Sequence, residues 1–350
     1  MKFLVISHTH SLLPFAYRLQ LAGHDVQTVV VVQAFEAAWK GKMEPSPRDS
    51  KGKLSPDFLK ELTRIANTEE SIILTDDWKL QQMLGEGVFG VHTQQHIVTG
   101  GLVTPVRLGG WFDGERMVAP HLLVVDRGAW TGGMGPAVDS GLTMVRIDVP
   151  ETQMMVEGLV QTQVDELKSS GFRGLVQLSL NFQTEDGQPE VDGMSAGWPF
   201  LHTHAFVSEL EDFAGLLAEG TSEDEQSPSH HLLPSKFVSV LPVSRPPWPT
   251  RKARFRFDLA QVKGLTPPQL GRIFWHDVQV DSEAGTISTA GLDGLLGVVR
   301  GAADTSELAL ARALEVAVRL RLPEKQFRPD VGRQVQTVLA ELEGRYGVLL

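Results

Sequence analysis

Residues 126–136, Asp-Arg-Gly-Ala-Trp-Thr-Gly-Gly-Met-Gly-Pro, concentrate the features that could do chemistry. Gly132, Gly133 and Gly135 let backbone N–H groups approach an anion without Cβ interference. A plain structural turn is the alternative reading of the same pattern. Two His-Thr-His runs, at 8–10 and 202–204, are the second candidate. In an extended segment, residues i and i+2 point the same way, so His8 with His10, or His202 with His204, could share one ion or serve acid–base chemistry. Ordinary hydrogen-bonded or surface histidines are the competing explanation. Glu190 and Asp192 fall on one face of an expected strand and form a candidate metal pair, against the simpler reading of solvent-facing carboxylates.

These groups sit in a chain of 350 residues, a length that suits two or three domains. The hydrophobic share of 42% and charged share of 21% are those of a globular protein. The net charge of -11 argues against general nucleic-acid binding, because a phosphate backbone needs a basic surface. With no cysteine, disulfides and thiolate chemistry are excluded. No apolar run approaches the ~18–20 residues of a membrane span, so the expectation is a cytoplasmic protein without a membrane partner.

The elements that must position the candidates follow from periodicity. Strands are expected at 2–7, 26–32, 71–74 and 87–91, with helices at 12–22, 56–66 and 79–84. That alternation implies a parallel, Rossmann-like sheet. The polar loop Ser7, His8, Thr9, His10 then lies at the ligand-binding edge of that sheet. Residues 103–111 and 116–118 suggest a hairpin around Asp113-Gly114. A helix is expected at 151–169, a strand pair at 174–182 and 190–192, and a helix at 205–217. Beyond an acidic linker at 221–229 come strands at 237–241 and 254–257, a hairpin at 278–280 and 286–288, and a strand at 296–300. Helices at 306–320 and 334–346 close the chain. Asp304 or Thr305 can cap the first of these.

The run D-x-G-x-x-T-G-G-M-G resembles the signature loop of the phosphoribosylamine–glycine ligase family, ATP-grasp enzymes of purine synthesis. Three other segments resemble that family in the same order: 1–26, 71–90 ending Val-Phe-Gly, and 294–332 ending Phe-Arg-Pro-Asp-Val-Gly. The resemblance implies an α/β protein. Its expected parts are a Rossmann-like domain (1–97), a reduced ATP-grasp-like middle domain (98–220) and an α+β C-terminal domain (221–350), with a ligand cleft between the first and third. It also implies substrate-binding roles for Asp126, Thr131, Gly132, Gly133, Met134, Gly135, Arg328 and Asp330.

Departures from the family pattern are as informative. No lysine occurs between Gly90 and Asp113, where the family carries a lobe whose lysines hold ATP phosphates. Arg107 and Arg116 are the nearest cations and read as solvent-facing strand charges. The family's magnesium-binding E-x-N falls on Asp192 and Met194, or on Val191 and Gly193, depending on the alignment. Each choice loses at least one oxygen ligand. Trp130 replaces an asparagine, and His121 is what survives of an upstream basic cluster. The expectation is therefore a divergent relative that keeps a ribose-phosphate or nucleotide cleft while ATP-dependent ligation is weakened or lost. An active ligase, and an enzyme of another reaction using the histidine loops, are the alternatives. ATP and magnesium are expected only if ligation is retained. A small phosphorylated ligand is the expected partner, and a protein partner is compatible with the sequence.

Overall fold

Four short apolar strands near the N-terminus form the parallel sheet that their sequence calls for. In the computed structural model they lie in the order Asp25–Val30, Lys2–Ser7, Ser71–Thr75, Val88–Gly90, every neighbouring pair parallel. The structure describes residues 1–9, 11–44, 46, 48, 53, 55, 60, 64, 71–76, 88–90, 98–100, 105–146, 161–182, 189–196, 204–205, 207, 213–219, 236–249 and 259–346. The chain divides into two units. One comprises Met1–Gln94, Pro242–Val298 and Val316–Phe327; the other comprises Gln95–Leu241, Val299–Glu315 and Arg328–Leu350.

In the first unit, Phe3, Leu4, Val5 and Ile6 are all buried, which is why successive residues of this strand are apolar. Helix Leu13–Leu21, with Pro14 in its first turn, buries Phe15, Ala16 and Leu19. The Phe15 ring lies 6.4 Å from Phe274, and the Arg18 guanidinium sits 4.7 Å over that same ring. Burying Phe15 and Leu19 contributes about 1.5–3 kcal/mol each through area removed from water. Strand Ile273–Trp275 runs beside the start of Leu295–Ala303, the His276 N–H donating to Leu296 O at 2.8 Å. The expected hairpin is Val278–Asp281 with Thr286–Thr289. Just before it, the buried Asp277 carboxylate accepts the N–H groups of Leu292, Asp293 and Gly294 and fixes that turn.

Lys42 is buried in this unit, its Nζ donating to Val278 O at 3.2 Å. The adjoining backbone is tied to the hairpin strand by the Val280 N–H on Lys40 O. Burial pushes the ammonium pKa down to about 7, against the opposing pull of the Asp277 charge.

The second unit is antiparallel. Its strands follow the order 237–240, Ala137–Arg146, Met117–Gly128, Val106–Phe112, Gly174–Asn181, Glu190–Ala196, Val98–Gly100. Helix Arg333–Tyr346 packs on strand Met117–Gly128. Helix Ser306–Arg319 is capped by Thr305, whose Oγ1 accepts the Leu308 N–H at 3.3 Å.

Several expectations needed correction. The strand expected to end at 118 continues to Gly128, passing through Pro120. Strand Ala137–Arg146 was not anticipated at all. The proline-rich break begins later than expected, since the strand from Phe237 runs to Ser244. The described part of the 151–169 helix is Gln161–Ser170, and of the 205–217 helix mainly Phe213–Glu219. Helix 79–84 and strand 254–257 lie outside the described residues, as does nearly all of helix 56–66. Among the described residues no helix is long and apolar enough to cross a membrane.

Candidate functional site

The glycine turn is built by three left-handed residues, Gly132 (φ 73°), Gly133 (φ 69°) and Gly135 (φ 84°), a conformation that a Cβ disfavours. Thr131–Gly133 form one tight turn, closed by the Gly133 N–H on Trp130 O and the Trp130 N–H on Met134 O. Residues 130–136 are exposed. The turn does receive an anion, and that anion belongs to the same chain: the Gly132 N–H donates to Asp330 Oδ2 at 2.6 Å. Arg328 completes the clasp. Its Nε donates to Asp330 Oδ1 at 3.1 Å, and its Nη1 donates to Asp126 Oδ1 at 2.8 Å and to Gly128 O at 3.1 Å. Sequence-distant candidates Asp126, Gly132, Arg328 and Asp330 are thus brought together. With two carboxylates around one guanidinium, the cluster is a staple for the turn with little positive charge left for a ligand.

Asp330 is held below the usual carboxylate range first by the Gly132 N–H and then by Arg328, with burial opposing both. A depressed folded pKa gives stability that is full above the ordinary Asp value of about 4 and lost as pH falls through the folded value. Asp330→Asn should therefore lower the urea midpoint at pH 7, and the difference from wild type should close on acidification. A gap that does not change between pH 7 and pH 3 would contradict this.

On the other side of the same sheet lies a second polar group of residues. Directly paired residues share a face, so the register places Arg107 beside Ser179 and Leu123, and His121, Gly109, Gln177 and Ser195 in the next row of that face. Arg107 is 2% exposed, and His121, Gln177, Ser179 and Ser195 are buried too. Gly109 and Gly193 contribute no side chains to these two rows. The alternate residues Leu108, Leu122, Leu178 and Met194 form the apolar face. Asp126 follows the parity of Leu122 and Val124, which puts the Arg328 clasp on the apolar side and Arg107 on the polar side. Reading Arg107 as a solvent-facing charge is thus corrected: it lies on a sheet face that is buried. Arg116 is exposed and lies 3.7 Å from Asp113.

At the edge of the parallel sheet, Asp76 organises the first loop. Its carboxylate accepts Ser7 Oγ at 2.6 Å, Ser11 Oγ at 2.5 Å and the His8 N–H at 2.8 Å. Thr9 Oγ1 accepts the Ser11 N–H at 3.3 Å. Strand Lys2–Ser7 is flanked by Asp25–Val30 on one side and Ser71–Thr75 on the other, so this loop stands at the point where strand order reverses.

The residues present do not fit the magnesium site of the resembled family. Val191 pairs with Leu180 in the ladder, Gly193 has no side chain, and Met194 is buried among apolar residues. A register shift between Val191 and Gly193 leaves Asp192 on a bulge, so Glu190 and Asp192 are no longer simple alternate residues of one face. Both are exposed. His8 is exposed, His204 is buried on a helical turn, and His10 and His202 lie outside the described residues. Among the described residues no three carboxylates or histidines are grouped to hold a metal. The sequence reading missed Asp76, Gln177, Ser179 and Ser195. For Asp76 a signal existed, an acid closing an apolar strand; for the others only cross-strand register reveals the group.

No protein-family model and no curated protein matches the chain. Solved structures do. Phosphoribosylamine–glycine ligase of Thermotoga maritima superposes with a TM-score of 0.64 at 14% identity, covering 95% of this chain and 100% of that one. Pyruvate carboxylase of Rhizobium etli gives 0.55 at 12% identity, over 92% of this chain and 36% of that one. Biotin carboxylase of Campylobacter jejuni gives 0.54 at 10% identity, over 93% and 92%. With its mixed α/β build and large antiparallel sheet, the chain has the ATP-grasp fold.

Proposed function

We propose that the protein binds a small phosphorylated ligand against the polar sheet face around Arg107 and does not carry out magnesium-dependent ATP ligation. The observation behind this reading is the 2% exposure of Arg107 in two rows that also carry His121, Gln177, Ser179 and Ser195, with Leu123 as their apolar member. Burying a guanidinium costs several kcal/mol unless its environment compensates it. Its planar fork matches a phosphate or carboxylate better than an ammonium does.

Two features argue against ligation. Transfer of a phosphoryl group needs cations and a metal at the developing charge. The E-x-N positions offer no carboxylate–amide pair, and the segment that carries phosphate-gripping lysines in the resembled family has none. In this reading the chain descends from a purine-synthesis ligase and keeps its layout of a Rossmann-like part (1–97), a reduced middle part (98–220) and an α+β part (221–350).

Two experiments test the reading. Calorimetric titration with ribose 5-phosphate should show saturable binding, and Arg107→Met should weaken it about tenfold or more, the scale of one charge-assisted hydrogen bond. Unchanged affinity in a folded variant would remove Arg107 from the site. A coupled assay with ATP, glycine and phosphoribosylamine should give no product above background; turnover would establish the ligase alternative.

A further inference from the structure

The first unit holds a cleft of about 1010 Å³ that none of the readings above uses. Its size reaches the upper end of small-molecule sites, about 300–1,000 Å³. The lining is divided in character. Leu259 and Val318 project into it at 62% and 61% exposure, an apolar display that water disfavours. Around them stand four cations, Arg245, Lys263, Arg321 and Lys325, against the one carboxylate of Glu324. In a chain of net charge -11, this is a local reversal of sign.

The cations play different parts. Lys325 donates from Nζ to the carbonyls of Ala317, Val318 and Leu320 and is committed to a helix end. Lys263 and Arg321 are exposed, with no ion-pair partner among the described residues, while a backbone bridge fixes their spacing. Arg245 is buried at the cleft wall and holds the exposed Glu324 carboxylate at 3.0 Å. Glu324 has φ 57°, the one positive value among described non-glycine residues. The ion pair with Arg245 makes Glu324 an internal anion seated where an external one would sit.

We propose that this cleft binds an organic anion with an apolar body, an alkyl phosphate or carboxylate, whose charged end exchanges with Glu324 at Arg245. Lys263 and Arg321 attract the head group, and Leu259 with Val318 covers the hydrocarbon. This site is independent of the Arg107 face.

The probes are octyl phosphate and octanoate, titrated calorimetrically below micelle-forming concentrations, with 1-octanol and inorganic phosphate as controls lacking one half of the chemistry. At least one amphipathic anion should bind saturably, and each control at least tenfold more weakly. The better of the two anions identifies the head group. Lys263→Glu with Arg321→Glu, and separately Val318→Asp, are surface changes expected to leave the melting temperature unchanged and to weaken binding tenfold or more. Glu324→Gln should tighten it several-fold, and Arg107→Met should leave it unchanged. Absence of saturable binding by both anions, equal binding of 1-octanol, or unchanged affinity in the doubly reversed variant would each overturn the proposal.

Discussion

Arg328→Met is expected to destabilise the second unit by about 3–5 kcal/mol, the usual cost of breaking a buried ion pair from one side. Asp126 is 3% exposed and its partner 9%. Asp126 Oδ1 accepts both Arg328 and the Gly128 N–H, whereas Oδ2 has no hydrogen-bond partner among the described residues. Removing the guanidinium leaves that carboxylate buried on the apolar face beside Leu122, Val124 and Leu142. It also removes the Arg328 bond to Asp330 Oδ1, leaving the Gly132 N–H on Asp330 Oδ2 to tether the glycine turn to the chain around residue 330. The double variant Asp126→Leu with Arg328→Met should recover much of the loss, because an apolar pair of similar volume carries no stranded charge. Urea unfolding of the four proteins in the cycle measures this. A single-variant loss below about 1 kcal/mol, or strictly additive losses, would show that the pair is not the clasp described.

The second large effect has the opposite sign. Lys42→Met should stabilise the first unit at neutral pH and below. The folded Lys42 releases its proton around pH 7, whereas an unfolded lysine holds it to about 10.4. Between those values the unfolded chain binds more protons, so wild-type stability should rise with pH across that window and be lowest below it. At about 1.4 kcal/mol per pKa unit the penalty below pH 7 is on the order of 3–5 kcal/mol. Methionine fills similar space without a charge to desolvate, although it forfeits the bond to Val278 O. Urea midpoints from pH 6 to pH 10 should climb for the wild type and stay level for the variant. Parallel profiles would contradict the assignment.

Much of the fold was legible because local pattern and burial agree. Phe3–Ile6 and Ile72–Leu74 are apolar on both sides, as strands of a covered parallel sheet must be. Elements were missed where local rules were overridden. Ala137–Arg146 contains Asp139, Ser140 and Gly141, a turn-like run, yet Gly141 is there for close approach: an added Cβ would lie 2.2 Å from Gly128 O. Pro120 reads as the end of a strand that in fact continues past it. The site was legible to a lesser degree. The glycine turn could be read from its own spacing, but Asp126, Arg328 and Asp330 came from a resemblance, since nothing local joins positions 202 residues apart. Arg107 was misplaced because arginine is ordinarily exposed, whereas here it lies between Ser179 and Leu123 on a buried sheet face.

In the function proposed, the buried Arg107 serves a phosphorylated ligand and the ATP-grasp fold lacks the means to use a metal-bound triphosphate. Calorimetric titration of ATP with and without magnesium tests this most directly. The expected result is weak nucleotide binding whose affinity does not rise when magnesium is added. An affinity that climbs tenfold or more into the micromolar range on adding the metal would contradict it.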